Sequence, residues 1–314
     1  MSETISNVAV AGDSLGEETW LKVILRFLRQ KPLGAAGLAV VLFFCFMAVF
    51  AGLIAPYDPL TPHYGAMLAP PGSEFWLGSD NFGRDILSRI IFGSRTAMTV
   101  GIVSSLIGAT MGLIIGVASA YFGGKTDMIV QRLLDIFMSF PLIVMALAIV
   151  SVRPFEDAFE KYFGDFFGKE VYVIALVIMA ITVPMIPRCA RVVRSSALSI
   201  REVPYVDAAR AMGFRSWRII LRHMLPNVMA PYLIMLTAFM GQAILLEAVL
   251  SFLGLGVQDP IPAWGLMLQG GAEQYAETAP WFPIFPGLAI TISVFAFNLF
   301  GDSLRDALDP RLRI

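Results

Sequence analysis

The sequence of 314 residues holds only two cysteines, Cys45 and Cys189, and only two histidines, His63 and His223. Two thiols cannot build a disulfide framework, and they lack the partners of a metal site, so both read as packing residues. Two histidines leave almost no material for a histidine-based metal or nucleophile site, and catalysis by this chain alone is not expected. Charge is scarce as well, at 15% of residues against about 25% in ordinary soluble domains. The net charge of -1 gives no general attraction to nucleic acid. A phosphate-binding loop is also missing. Gly124-Lys125-Thr126 resembles the tail of one, but that pattern needs a glycine five positions before Gly124, where Ser119 stands. The stretch reads as a tight turn between two apolar segments.

What the chain has in excess is apolar sequence: 57% of residues are hydrophobic and the mean hydropathy is +0.73. A bilayer core about 30 Å thick is crossed by roughly 20 apolar residues in a helix. Six candidate spans can be marked, giving an all-α, polytopic membrane protein. They lie within Pro32 to Pro56, within Thr96 to Phe122, from Ile136 to Val152, from Val171 to Pro187, from Val228 to Leu255 and from Trp281 to Phe300. Of these, the fifth alone contains a charged residue, Glu247.

Basic residues in short loops are retained on the cytoplasmic side. The loop between spans four and five carries Arg188, Arg191, Arg194, Arg201, Arg210, Arg215, Arg218 and Arg222 against Glu202 and Asp207. Residues 259–280 carry Asp259, Glu273 and Glu277 with no basic residue. The first loop is therefore inside and the second outside, which places both termini in the cytoplasm. The first eighteen residues lack the basic and short apolar regions of a cleavable signal, so span one is expected to remain as an anchor. Ahead of it, Trp20, Val23, Ile24, Phe27 and Leu28 share one helical face, the pattern of a helix lying on the inner leaflet. Residues 1–95 thus form an N-terminal part with interfacial helix, first span and external segment. Residues 96–314 form a core with five spans and a cytoplasmic loop at 188–227.

That loop has its own local order. Pro204 suits the first position of a helix, Asp207 sits where a carboxylate favours the helix dipole, and Gly213 suits the left-handed residue that ends it. Ser216 is the expected N-cap of a second helix that Pro226 is expected to stop. Ala208, Ala209 and Ala211 offer a surface with few bulky groups, so a partner can approach closely between the flanking arginines. Topology alone requires only charge, and not this ordering.

Asp207-Ala208-Ala209, Gly213 and Leu225-Pro226 resemble, at matching spacing, the cytoplasmic motif of the inner-membrane permease subunits of bacterial ABC importers. Two positions depart from the family pattern, Asp207 for Glu and His223 for Ile. Further blocks are similar to the second permease of the peptide/nickel subgroup: 77–89, Tyr121-Phe122-Gly123-Gly124, 252–256 and 297–311. The resemblance implies a multi-pass subunit of the bacterial inner membrane, working by alternating access without enzymatic activity of its own. It implies four kinds of partner: a second homologous permease, two ATPase subunits that bind ATP and Mg, an external solute-binding protein, and the lipid bilayer. The loop would be the coupling helix that fits a groove on an ATPase. Di- or oligopeptides are the implied solutes, with nickel chelates, opines or oligosaccharides as alternatives.

Other polar residues invite separate readings. Glu247 is costly in a span and is a functional candidate by default; lining the translocation path and pinning a neighbouring helix both stay open. Arg132 and Asp135, three apart, are expected to pair. Asp80, Arg84, Asp85 and Arg89 are expected on a short helix folded against the outer membrane surface, and Trp264, Tyr275 and Trp281 in an interfacial belt. An ion-coupled secondary transporter would need more intramembrane ionisable residues than Glu247. A membrane enzyme would need a cluster of nucleophile, base or metal ligands that the sequence does not offer.

Overall fold

The computed structural model describes residues 29–152 and 156–308, with only the backbone over 156–170. The expected interfacial helix falls outside these residues. Helix α1 spans Pro32–Ile54, α2 Ile86–Phe122, α3 Gly124–Met138, α4 Leu142–Val152 and α5 Glu156–Arg201. Then follow α6 Pro204–Ala211, α7 Ser216–Ile219, α8 Met229–Phe252, α9 Trp264–Gln274 and α10 Trp281–Leu308. Five helical stretches are long and apolar enough to cross a membrane, and α3 with α4 adds a sixth if that bent pair counts as one span.

Several boundaries differ from those drawn on charge-free runs, and each difference has a local cause. Helix α2 begins ten residues before Thr96, because Asp85 caps it: the carboxylate accepts from the Ser88 backbone N–H at 2.8 Å and from the Ser88 hydroxyl at 2.6 Å. Span three is not straight. Its two helices meet at 85°, where Pro141 lacks an N–H and disfavours helical geometry at Phe140. Span four does not end at Pro187; α5 runs through Pro184 and Pro187 to Arg201. Membrane helices tolerate proline where neighbouring elements satisfy the freed backbone groups.

The centre of the bundle is α2, shared by two apolar clusters. Toward the cytoplasm, Leu113 and Val117 pack with Met185, Cys189 and Val193 of α5 and with Met224 and Val228. Toward the outside, Ile86, Ile90 and Ile91 pack with Phe44 and Met47 of α1, Ile244 of α8, Trp264 of α9 and Phe297 of α10. Close approach of α2 to α5 depends on missing side chains: a Cβ at Gly116 would sit 2.5 Å from the Ala190 carbonyl oxygen. Trp264 belongs to this core rather than to an interfacial belt. It is fully buried, its indole N–H donates to the Ile90 carbonyl at 2.9 Å, and its ring meets Phe44 edge-on at 5.4 Å. At the cytoplasmic end, Lys31 pairs with Asp306 at 2.8 Å, so the first and last spans present their inner ends on one face.

Candidate functional site

The cytoplasmic loop folds into a knob. Pro204 opens α6 as its first residue and Asp207 lies in its first turn, paired with Arg210 at 2.9 Å. Gly213, at φ +77°, ends the helix. The Phe214 N–H donates to the Ala209 carbonyl at 3.1 Å and the Gly213 N–H to the Arg210 carbonyl at 2.9 Å. These two bonds form the reversal that lets a helix stop sharply and the chain turn back.

Val206, Ala209 and Ile219 are buried together, with Tyr121 and Phe214 packed against them. Ala209 therefore faces inward, in contrast to the expectation that all three alanines line the outer surface; the 3.6-residue period puts Val206 and Ala209 on the same side as the footing. Ala208 and Ala211 remain exposed, as do Tyr205, Met212, Trp217 and Leu221 of the same loop. Patches of this kind, apolar with an arginine rim, mark contact surfaces on otherwise soluble faces.

Tyr121 at the end of α2 supports the knob, with the Arg210 guanidinium 5.4 Å from its ring centroid. Arg201 donates to the Ala120 carbonyl at 2.9 Å, closing the C-terminus of the same helix. Asp127 takes both Arg194 Nε at 2.6 Å and the Ser119 hydroxyl at 2.5 Å, tying the start of α3 to α5. Asp135 pairs with Arg191 of α5 at 2.5 Å, and not with Arg132 as its spacing implies. The knob thus rests on the end of α2, and α3 is tied to α5 beside it.

Ser216 is not an N-cap; Arg215 holds that position without a side-chain bond. Nor does Pro226 stop the second helix. A π turn over Ile220–Met224, closed by the Leu225 N–H on the Ile220 carbonyl, passes into a 3-10 turn over Leu225–Val228 and then into α8. The widened turn absorbs the donor that proline lacks, a device frequent at functional positions in helices. From Ser216 to Phe252 the chain is one continuous helical rod of 37 residues, leading from Leu225 and Pro226 to the outer side.

Near the outer end of that rod, Glu247 is buried and accepts from the Ser251 hydroxyl at 2.8 Å. The same Ser251 oxygen accepts from the Val257 N–H at 3.2 Å, so the three groups tie the helix to the turn that follows it. Beyond it lies a charge cluster that pattern reading placed on the membrane surface. Asp80 and Arg89 are buried, not surface-lying. Arg84 meets Asp80 at 2.6 Å and Asp259 at 3.2 Å, while Arg89 lies 3.7 Å from Asp80 and 3.6 Å from Asp259. Asp259, from the loop after α8, was not among the expected members; a pairing 175 residues apart leaves no sequence signal. Among the described residues no group of three or more His, Cys, Asp or Glu side chains is arranged to hold a metal.

Residues 108–314 match the family described as the inner membrane component of binding-protein-dependent transport systems. The chain belongs to this family. Residues 19–71 also match the N-terminal transmembrane domain of oligopeptide transport permease C. A putative peptide transport system permease protein of Brucella suis is 38% identical over 100% of this chain and 99% of its own length. The dipeptide transport system permease protein DppC of Alkalihalophilus pseudofirmus is 39% identical over 91% of this chain and 88% of its own. The inward-facing MetNI methionine ABC transporter contains a chain with the same fold, at TM-score 0.54 and 19% identity, over 71% of this chain and 98% of that one. This permease is accordingly a multi-pass inner-membrane protein and a transport subunit, not an enzyme.

Proposed function

We propose that this permease is one of two homologous membrane subunits of an ATP-driven importer of di- and oligopeptides. The observation that carries the reading is the knob: a short helix closed by a glycine reversal, with exposed apolar residues, footed on the end of α2 and followed by a helical stretch that runs into α8. One of two ATPase subunits, which bind the ATP and Mg, receives it through Asp207, Ala208, Ala211 and Met212; Ala209 and Gly213 hold its shape, and Leu225 and Pro226 pass its motion into α8. ATP binding draws the ATPases together and favours the outward-facing arrangement, and hydrolysis resets it. An external binding protein delivers the solute. The names of the peptide and dipeptide permeases among its relatives support peptides as that solute. Glu247 acts as a pin, since its carboxylate is enclosed and bonded within its own helix.

Affinity purification of the tagged permease tests the assembly: a second permease and ATPase chains are expected in the complex. Reconstituted with its binding protein, that complex is expected to take up a labelled dipeptide only with ATP. Uptake by this chain alone, driven by an ion gradient, would refute the reading.

A further inference from the structure

On the outer side, Arg84 and Arg89 are consumed by the buried ion cluster, while Arg95 is exposed. Arg95 immediately precedes the charge-free run of α2, so its side chain borders the hydrocarbon layer, where a bare charge is costly. One side of its guanidinium is fixed: Nε donates to the Ala48 carbonyl of α1 at 2.8 Å, and the group lies 5.0 Å from the Phe92 ring centroid. The bond falls two residues before Phe50, where α1 leaves helical geometry at φ −96° and ψ 16°.

The direction of the side chain is informative. Counting from Pro32 at the inner end, Ala48 stands about 24 Å up the helix and Gly52 about 30 Å up, at the outer limit of the hydrocarbon. Nη2 of Arg95 lies 4.0 Å from where a Gly52 Cβ would be, and apart from Gly52's own chain neighbours and helix backbone no other atom comes within 4 Å of that position. The guanidinium therefore lies beside Gly52, about at the outer limit of the hydrocarbon, a depth that long cationic side chains favour. Gly52 leaves open space over it. Nearer the inner end, Phe46 and Val49 of α1 are exposed.

We propose that Arg95, with the open surface at Gly52, holds the phosphodiester of an anionic phospholipid of the outer leaflet, whose acyl chains lie along Phe46 and Val49. A guanidinium fork matches phosphate oxygens with two parallel N–H bonds, and charge-assisted bonds are strongest away from water. The lipid then bridges α1 to α2.

Native mass spectrometry of the delipidated complex titrated with phosphatidylglycerol tests this. Wild type is expected to retain one tightly held lipid, and Arg95→Gln to bind it about tenfold more weakly. Gly52→Leu leaves the Ala48 bond in place and fills the space, so it is expected to weaken binding similarly. It separates a lost site from a misfolded Arg95→Gln protein. Diacylglycerol, which lacks phosphate, is expected not to compete. Equal phosphatidylglycerol binding by wild type and Gly52→Leu would overturn the site. So would competition by inorganic phosphate alone at equal concentration. Loss of the second permease from Arg95→Gln complexes with lipid binding unchanged would assign Arg95 to a protein carboxylate and overturn it too.

Discussion

On the cytoplasmic side Asp207 and Arg210 pair at 2.9 Å in the open, next to exposed Tyr205, Met212 and Trp217. On the outer side Asp80 and Arg89 are enclosed, and the one exposed aromatic beside them, Phe82, is covered on a face by the Arg84 guanidinium at 4.7 Å. An exposed ion pair contributes only a few tenths of a kcal/mol. Removing one member of a buried pair strands a charge and costs far more. The knob carries weak, accessible charge among exposed apolar residues, as the proposed docking on an ATPase requires. The outer cluster uses enclosed charge to fix residues 79–89 against the turn after α8.

The contrast is most exposed to disproof at the cluster. Replacing Asp80 with Ala is expected to destabilise the permease by about 3–5 kcal/mol by taking the enclosed carboxylate from both Arg84 and Arg89; thermal unfolding in detergent measures it, and an unchanged midpoint would show the cluster to be decorative. Next is Gly213→Val, which forces a β-branched residue to φ +77° at a cost of about 1–3 kcal/mol. Membrane insertion is expected to survive while uptake per ATP hydrolysed falls. The two neighbouring alanines sharpen the picture of the knob. Ala209→Trp overpacks the footing and is expected to cost about 1–3 kcal/mol. Ala208→Trp, on the exposed face, is expected to keep the wild-type melting point and yet lose the ATPase subunits on co-purification. Glu247→Gln is expected to have the smallest effect, within about 1 kcal/mol, because the amide oxygen still accepts from Ser251. Transport at the wild-type rate supports the pin, and its loss would restore Glu247 to the translocation path.

Legibility followed locality. Pro204, Asp207 and Gly213 act on the backbone within one turn, so their positions could be read directly. The inward turn of Ala209 needed Tyr121 and Phe214, which arrive from elsewhere in the chain. Arg132 and Asp135 have the spacing of a helical pair, but Arg191 of α5 competes for Asp135 and wins. Pro226 carries a strong stop signal, which the π turn ahead of it cancels.

By itself the sequence determined that the chain crosses a membrane several times, which side each loop faces, and where a capped cytoplasmic helix interrupts the spans. Hydropathy, basic-residue placement and cap chemistry act over one to a few turns and need no knowledge of neighbours. Only the tertiary structure decided that the knob stands on the end of α2, that Ser216 to Phe252 is one helical stretch, and that Asp259 closes the outer cluster. It also placed the Arg95 guanidinium beside Gly52. Each of these depends on groups far apart in the chain meeting at a few ångströms, and burial then fixes which of several locally allowed partners is kept.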